Sequence, residues 1–226
     1  MLENYKFVDL THTISKDAPT WDGSCGFVLS NNIDYENCTA PDLFRVQKLS
    51  MNAGIGTHMD APAHCVPDAK SIESLELEDL IVNCVVIDVS DKTDENYIVM
   101  PEVVEEFEEK NGKIKEKSFV IFYTGWDKHW DDKEKYHNDH VFPSIHVDTA
   151  KLLLERNIAG LGTDTLSADT GANGFPVHQA ILGAGKYLVE NIANASVLPP
   201  NGAKILVLPI KIKEGTEAPI RLLALI

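Results

Sequence analysis

Short apolar runs recur along the chain and alternate with segments of helical periodicity. The runs have strand length and lie at residues 7–10, 84–89, 119–123, 158–161, 187–189, 205–212 and 222–226. Between them, residues 101–110 begin with a proline suited to a first helical turn. Residues 148–156 carry an apolar stripe behind Asp148, a candidate N-cap. The pattern predicts an α/β fold and is weakest before residue 55.

Length and composition narrow the class of protein. The 226 residues contain no linker or repeat, so we expect one domain over residues 1–226. No signal peptide or membrane-spanning stretch is evident, which predicts a soluble, cytoplasmic protein. Asp and Glu outnumber Lys and Arg by 35 to 20 without a basic stripe, which argues against nucleic acid and membranes as partners. The four cysteines form no CxxC pair, which argues against a thiolate zinc site or a disulfide scaffold.

The segment GTHMDAPAH, residues 56–64, concentrates ligand and proton-transfer chemistry. If residues 58–60 end a strand, His58 and Asp60 share one face while Met59 points into a core. Pro62 favours a turn that brings His64 back toward that face. The segment can therefore supply two metal ligands and a nearby base. For an isolated His or Asp, a hydrogen-bonded loop residue would be the better interpretation, but the full segment favours a site.

A second pair, His178 and Glu190, lies twelve residues apart. On one unbroken helix they would be about 18 Å apart at roughly 1.5 Å per residue, too far to share an ion. Gly183 and Gly185 offer a break, so a short helix from Pro176 can end there and return as a strand. That strand would bring Glu190 back to His178. A capping histidine and an exposed strand-end glutamate are the alternative.

For the other polar residues we favour structural roles over catalytic ones. Cys65 beside His64 could form a nucleophilic pair, but sequence neighbours point to opposite faces of an extended chain. Asp164 and Asp169 suit carboxylates that brace a loop near the site. The histidines at positions 129, 137, 140 and 146 suggest an exposed loop. Five aromatic residues could line a substrate pocket or belong to the core or an interface: Trp21, Phe27, Phe44, Trp126 and Trp130.

These segments resemble the cyclase family of metal-dependent hydrolases, which includes bacterial kynurenine formamidase and isatin hydrolase. The resemblance runs in order through DLTHTI (9–14), GTHMDAPAH, FYTGW (122–126), GTDTLSAD (162–169), the HQAIL to VEN pairing (178–191) and EGTEAPIR (214–221). It covers nearly the whole chain, and GTHxDxPxH is its most specific signature.

The resemblance implies a swivelling β/β/α fold and a homo-oligomer, either a dimer or a tetramer. It also implies a zinc or manganese centre built from His58, Asp60, His178 and Glu190, with His64 as the general acid/base. No organic cofactor site is expected. Family members with two metals usually carry a further histidine at the position of Gly54, which here cannot be a side-chain ligand. We therefore expect one well-held ion, with the other position weakened, empty or poorly served by Asn52 or Gln47.

The reaction implied is hydrolysis of a carbon–nitrogen bond in a small-molecule formamide or cyclic amide. A lactone hydrolase or cyclase is the alternative within enzymes, since the same ion could activate an ester carbonyl. From another class, Gly54 could mark a catalytically retired metal-binding assembly protein. His64 argues against that alternative, because a purely structural ion needs no base.

Overall fold

The structure, a computed structural model, describes residues 5–226, so residues 1–4 of the predicted domain lie outside it. The described residues form thirteen strands: β1 (Phe7–Asp9), β2 (Phe27–Ile33), β3 (Val46–Met51), β4 (His58–Asp60), β5 (Ile81–Asp88), β6 (Ile98–Val99), β7 (Phe119–Tyr123), β8 (Ser144–Ile145), β9 (Gly160–Thr163), β10 (Tyr187–Glu190), β11 (Lys204–Leu206), β12 (Glu217–Pro219) and β13 (Leu223–Leu225). They also form five α-helices: α1 (Leu77–Leu80), α2 (Pro101–Asn111), α3 (Lys133–His137), α4 (Val147–Glu155) and α5 (Pro176–Gly183).

Nine of these strands form one mixed sheet in the order β1-β13-β11-β5-β7-β9-β10-β4-β12. The four central strands β5, β7, β9 and β10 run parallel. On one side β4 and β12 continue the sheet antiparallel, and on the other β11, β13 and β1 do so. Parallel strands need crossover connections, and here α2 links β5 to β7 while α4 links β7 to β9.

The central strands are buried on both faces, and β7 illustrates the reason. Its side chains alternate between two apolar cores, because successive residues of a strand point to opposite faces. Phe119 and Ile121 belong to the core shared with β1, β11 and β13. Val120 and Phe122 belong to the other core, which is closed by α2, α4 and α5. A continuous apolar run of strand length therefore marked a strand with no solvent-facing side.

Most elements predicted from the apolar pattern are confirmed. The α/β class is correct, and β1, β5, β7, β10 and β13 lie where the runs at residues 7–10, 84–89, 119–123, 187–189 and 222–226 placed them. Helix α2 begins at Pro101, with the proline in its first turn. Helix α5 begins at Pro176, ends at Gly183 and is followed by β10, as the spacing of His178 and Glu190 required.

Three details of the prediction are wrong. The strand expected at 158–161 starts at Gly160, and the run at 205–212 is a strand only over Lys204–Leu206. Beyond β11, Pro209 cannot donate a ladder hydrogen bond and makes only an isolated bridge with Ile220. The cap of α4 is His146 rather than Asp148, because the helix starts at Val147 and the His146 Nδ1 accepts from the Asp148 backbone N–H at 3.2 Å.

The region before residue 55, where the pattern is weakest, contains the hairpin of β2 and β3. Its apolar side chains, including Val28, Leu29 and Leu49, are exposed. The hairpin therefore lacks the one-sided burial that makes strand alternation readable. Among the described residues, no helix has the length and apolar character needed to cross a bilayer.

Candidate active site

The strand β4 places two candidate ligands between two further strands. It pairs with β10 so that His58 lies opposite Glu190, and with β12 so that Asp60 lies opposite Glu217. Because the side-chain period of a strand is two, these four side chains point to one face of the sheet. Met59, as predicted, points to the opposite face and is fully buried in the core.

The turn after β4 also has the predicted geometry. Ala61 is extended, with φ −84° and ψ 162°, and Pro62–His64 forms a short 3-10 turn. The turn places His64 on the rim of the same site, where its side chain is 33% exposed. Strand β4 and the turn that follows it therefore bring His58, Asp60 and His64 to one site within a short segment.

Both buried imidazoles direct Nε2 into the site. His58 Nδ1 donates to the Gly56 carbonyl at 2.9 Å, and that carbonyl also accepts from Asn191 Nδ2. His178 Nδ1 donates to Asp169 Oδ2 at 2.8 Å. An acceptor held at Nδ1 fixes the tautomer with an unprotonated Nε2, which is the atom available to a metal.

The four predicted ligands are close together around two shared carboxylates. His58 Nε2 lies 3.5 Å from Asp60 Oδ1 and 3.6 Å from Glu190 Oε2. His178 Nε2 lies 3.6 Å from Asp60 Oδ2 and 3.2 Å from Glu190 Oε1. Two ligand atoms bound at about 2.1 Å to one ion stand roughly 3 to 3.5 Å apart, so this spacing fits a metal centre.

The ligand atoms fall into two groups rather than one. Asp60, His178 and Glu190 form a fully buried group, and His58, Asp60 and Glu217 form a second group that is partly exposed. Asp60 belongs to both. Its Oδ1 is buried and has no hydrogen-bond partner. A buried carboxylate oxygen without a donor is costly, which favours a cation beside it.

The electrostatics of the site favour positive charge. Burial alone would lower the pKa of His58 and His178, but the facing carboxylates outweigh it and raise both pKa values. Burial alone would raise the pKa of Asp60, but His178 and His58 offset it and the pKa of Asp60 is lowered. Burial, followed by repulsion from Asp60, raises the pKa of Glu217. Protons and metal cations therefore compete for the same atoms.

The site opens into a cavity of about 510 Å³, within the size range of small-molecule pockets. Three carboxylates and three imidazoles line it: Asp60, Glu190, Glu217, His58, His64 and His178. None of the described lining residues is Lys or Arg. Trp21, Leu166 and Phe175 are its large apolar lining residues, and the Phe175 ring lies 5.6 Å from the His178 ring, centroid to centroid.

The predicted aromatic residues separate into different environments. Trp21 lines the cavity and lies 5.4 Å from the Phe175 ring, centroid to centroid. Trp126 is buried in a small core cluster, and Trp130 packs against that cluster. Phe27 and Phe44 belong to β2 and to the chain between β2 and β3, and Phe44 is exposed. Sequence reasoning did not single out Phe175 or Leu166.

Asp164 and Asp169 brace the site in the way the sequence indicated. Asp164 accepts from the Thr124 backbone N–H and hydroxyl and from Trp126 N–H, at 2.7 to 2.9 Å. Burial raises the pKa of Asp164 to about 6 despite these donors. Asp169 accepts from the backbone N–H groups of Val177 and His178 at the start of α5.

The remaining candidates have structural roles. Burial raises the pKa of Cys65, which disfavours a reactive thiolate. The four histidines at 129, 137, 140 and 146 are partly exposed in a surface segment, which contains the short helix α3 and so is not the plain loop expected. His137 and His140 both place Nε2 within 2.8 Å of the Trp21 carbonyl, and the His140 ring stacks on Trp21. They therefore position a wall of the cavity.

Glu217 is the site residue that sequence reasoning missed. Neither Asn52 nor Gln47 occupies the space beside Gly54, and Gln47 instead donates to Asn31 within the hairpin. The carboxylate of Glu217 lies there, because β12 pairs with β4. The segment EGTEAPIR was part of the resemblance, but strand register, which the sequence does not state, decides which of its residues faces the site.

Comparison with known proteins assigns the family. The putative cyclase family model matches residues 8–170. The chain is 30% identical over 186 residues to isatin hydrolase of Roseibium aggregatum, covering 76% of this chain and 71% of that protein. It is 30% identical over 174 residues to kynurenine formamidase of Salinibacter ruber, covering 76% of each.

Solved structures agree with this assignment. Isatin hydrolase A from Labrenzia aggregata, bound to benzyl benzoate, superposes with a TM-score of 0.89 at 31% identity, covering 98% of this chain and 94% of that one. Isatin hydrolase A from Ralstonia solanacearum gives 0.90 at 28% identity, covering 99% and 92%. The chain therefore belongs to the cyclase family and is a hydrolase of that family. The predicted fold and family are confirmed.

Proposed function

We propose that this protein hydrolyses a carbon–nitrogen bond in a formamide or cyclic amide, using a divalent metal centre built on His58, Asp60, His178 and Glu190, with its best-held ion between Asp60, His178 and Glu190. The single observation that supports this most strongly is the convergence of the two Nε2 atoms on the two carboxylates, at 3.2 to 3.6 Å. The names of the relatives, isatin hydrolase and kynurenine formamidase, support the choice of bond.

The donor set fits the ion. Imidazole with carboxylate accommodates zinc and manganese, and the buried group of Asp60, His178 and Glu190 is the better held of the two groups. An ion there would lower the pKa of a bound water and polarise a carbonyl. Asp169 holds the His178 ring in place, and the Ala168 backbone N–H donates to Glu190 Oε1 at 3.0 Å. These contacts restrict both ligands to one orientation.

His64 is the candidate general acid/base. It lines the cavity on the open side, and its ring centroid lies 6.1 Å from that of His178. Its Nδ1 lies 3.6 Å from Glu217 Oε2, too far for a hydrogen bond, so both ring nitrogens stay available to a substrate. We propose that His64 takes the proton of the attacking water and passes it to the leaving nitrogen.

The aromatic lining of the cavity suits an aryl substrate. Trp21 and Phe175 line the same cavity as the carboxylates, and offset stacking of an aromatic ring on such residues contributes roughly 0.5 to 1.5 kcal/mol. His137 and His140 hold the Trp21 backbone in place. A formylated aniline or a ring-fused cyclic amide would place its ring against this aromatic lining and its carbonyl toward the metal position between Asp60 and Glu190.

A substrate panel tests the proposal. Formylated anilines, ring-fused cyclic amides and lactones would be assayed with protein stripped by chelator and then given zinc or manganese. We expect metal-dependent turnover of an amide. Lactone turnover alone would favour the ester alternative. Metal-dependent stability without turnover of any compound would favour the retired, metal-binding alternative.

We also propose that the protein is a homo-oligomer. The β2 and β3 hairpin exposes apolar side chains on both faces, with the paired Leu29 and Leu49 on one face and Val28 on the other, and exposed apolar surface favours association. Light scattering on the purified chain measures the assembly directly, and a monomer at micromolar concentration would contradict this proposal. The cytoplasmic location stays a prediction.

A further inference from the structure

Gly54 leaves a space that another side chain fills. A Cβ built on Gly54 would collide with Glu217 Oε1, would lie 3.2 Å from the Glu217 carboxyl carbon and would lie 3.3 Å from His58 Nε2. The Glu217 carboxylate thus occupies the place that a side chain at position 54 would take, directly beside the free nitrogen of His58. Glu217 can hold this position because residue 54 has no side chain.

The contacts of Glu217 leave its carboxylate available to a ligand. Its nearest basic group is His64, at 3.6 Å, which is beyond hydrogen-bond distance. One oxygen of Glu217, one oxygen of Asp60 and one nitrogen of His58 all lie within 4.8 Å of each other. Asp60, which is 1% exposed, contributes the unpartnered Oδ1 that faces His58. Because this buried oxygen lies beside His58 and has no donor, it needs a partner in the space between His58 and Glu217.

The net charge of the cavity also favours a second cation. Three carboxylates meet in the cavity, and among the described lining residues no Lys or Arg offsets them. A single divalent ion would leave this set negative by one charge if the imidazoles were neutral. Glu217 is 26% exposed, but it shares the cavity with the buried carboxylates of Asp60 and Glu190, and a cation relieves the repulsion among the three. The third carboxylate therefore favours a second cation.

We propose that Glu217 replaces the missing imidazole as a ligand, so that Glu217, His58 and Asp60 bind a second divalent cation. Replacing an imidazole by a carboxylate makes the donor set richer in oxygen, and carboxylates suit manganese and other hard cations. This position therefore prefers manganese to zinc. The inference rests on the proposed function, because Asp60 is shared with the ion held by His178 and Glu190.

Manganese binding to the full-length protein is the test. Chelator-stripped protein is titrated with manganese, and free Mn²⁺ is followed by electron paramagnetic resonance, which counts bound ions without any activity. We expect two ions per chain, one tighter than the other. Glu217→Gln should weaken the weaker site by about tenfold or more, since losing even an outer partner of a ligand costs about 10- to 100-fold in affinity. The tighter site should be retained.

A matched control and a compensating variant sharpen the result. Glu155→Gln makes the same change on a side chain that is 71% exposed, and should leave both sites unchanged. Gly54→His combined with Glu217→Ala removes the carboxylate that would collide with a new side chain and supplies an imidazole instead. This double variant should regain the second ion with its preference shifted from manganese toward zinc. Circular dichroism confirms that each variant is folded.

The outcomes separate the two proposals. One manganese ion per chain, bound equally by wild type and Glu217→Gln, would overturn this inference and leave the proposed function standing. Two ions bound by Glu217→Gln with unchanged affinities would also overturn the inference of a second site at Glu217. In that case a shifted pH profile of turnover in the variant would assign Glu217 to positioning His64. Absence of any bound ion in wild type would overturn the proposed function itself.

Discussion

Asp169→Asn tests how the site holds His178. The Asp169 carboxylate accepts three hydrogen bonds, from Val177 N–H at 3.1 Å, His178 N–H at 3.0 Å and His178 Nδ1–H at 2.8 Å. It thus joins the start of α5 to the ring of a proposed ligand. Asparagine keeps one acceptor oxygen but turns an NH₂ group toward a donor. At least one buried donor then loses its partner.

The magnitude follows from these contacts. Hydrogen bonds to a charged group contribute about 1.5 to 3 kcal/mol, and an unsatisfied buried donor costs about 1 to 3 kcal/mol. We expect Asp169→Asn to lower the free energy of unfolding of the metal-free protein by about 2 to 4 kcal/mol. For a chain of this size each kcal/mol shifts Tm by about 2 to 4 °C, which gives roughly 4 to 16 °C. Metal affinity should fall about 10- to 100-fold.

Two assays measure these effects. Thermal unfolding in chelator gives the change in Tm, and competition with a chelating dye gives metal affinity. Asp148→Asn is the matched control, because it makes the same change near the start of a helix, on a side chain that is 56% exposed and accepts a surface hydrogen bond from Lys151. We expect no measurable loss there. Metal affinity of Asp169→Asn within about twofold of wild type would refute the reasoning, since outer partners of metal ligands contribute more than that.

Three further variants test separate parts of the account. His64→Ala should retain bound metal, measured by mass spectrometry, while turnover falls by about 100-fold or more; loss of metal would assign His64 to supporting Asp60. Trp21→Ala should raise KM for an aryl amide by about 3- to 10-fold with little change in kcat; an unchanged KM would remove Trp21 from the substrate site. Hydrogen bonds from Arg156 lower the pKa of buried Glu108 to about 2. Glu108 therefore stabilises the fold fully above about pH 4.5, and this contribution is lost as the pH falls toward 2. Glu108→Gln should therefore cost about 1 to 3 kcal/mol at pH 7 and progressively less below pH 4.5, as followed by chemical unfolding; a pH-independent difference would contradict the assignment.

The sequence predicted the structure correctly where both faces of a strand are buried, and where a turn is determined by a nearby proline or glycine. Phe119–Tyr123 is apolar at every position because both faces of β7 are packed, and its bounds were predicted correctly. Pro62 and the glycines after α5 dictate local turns, so the return of His64 and Glu190 toward β4 followed from chain geometry.

The parts that could not be predicted depend on long-range pairing. Glu217 reaches the site only because β12 pairs with β4 in one register, which no local pattern encodes. The β2 and β3 hairpin has apolar residues exposed to solvent, so its pattern carries no sign of a buried face. His146 rather than Asp148 caps α4 because the helix begins at Val147, and the exact end of a helix is the feature that a local pattern defines least well.

The central claim is that a divalent ion binds between His178, Asp60 and Glu190. Crystals of the wild-type protein grown with manganese, measured for anomalous scattering near the manganese absorption edge, locate the ion directly. The account predicts a peak about 2.0 to 2.3 Å from His178 Nε2 and from one oxygen of each carboxylate. Protein that hydrolyses an amide only with manganese, yet shows no anomalous peak in this cavity, would contradict it.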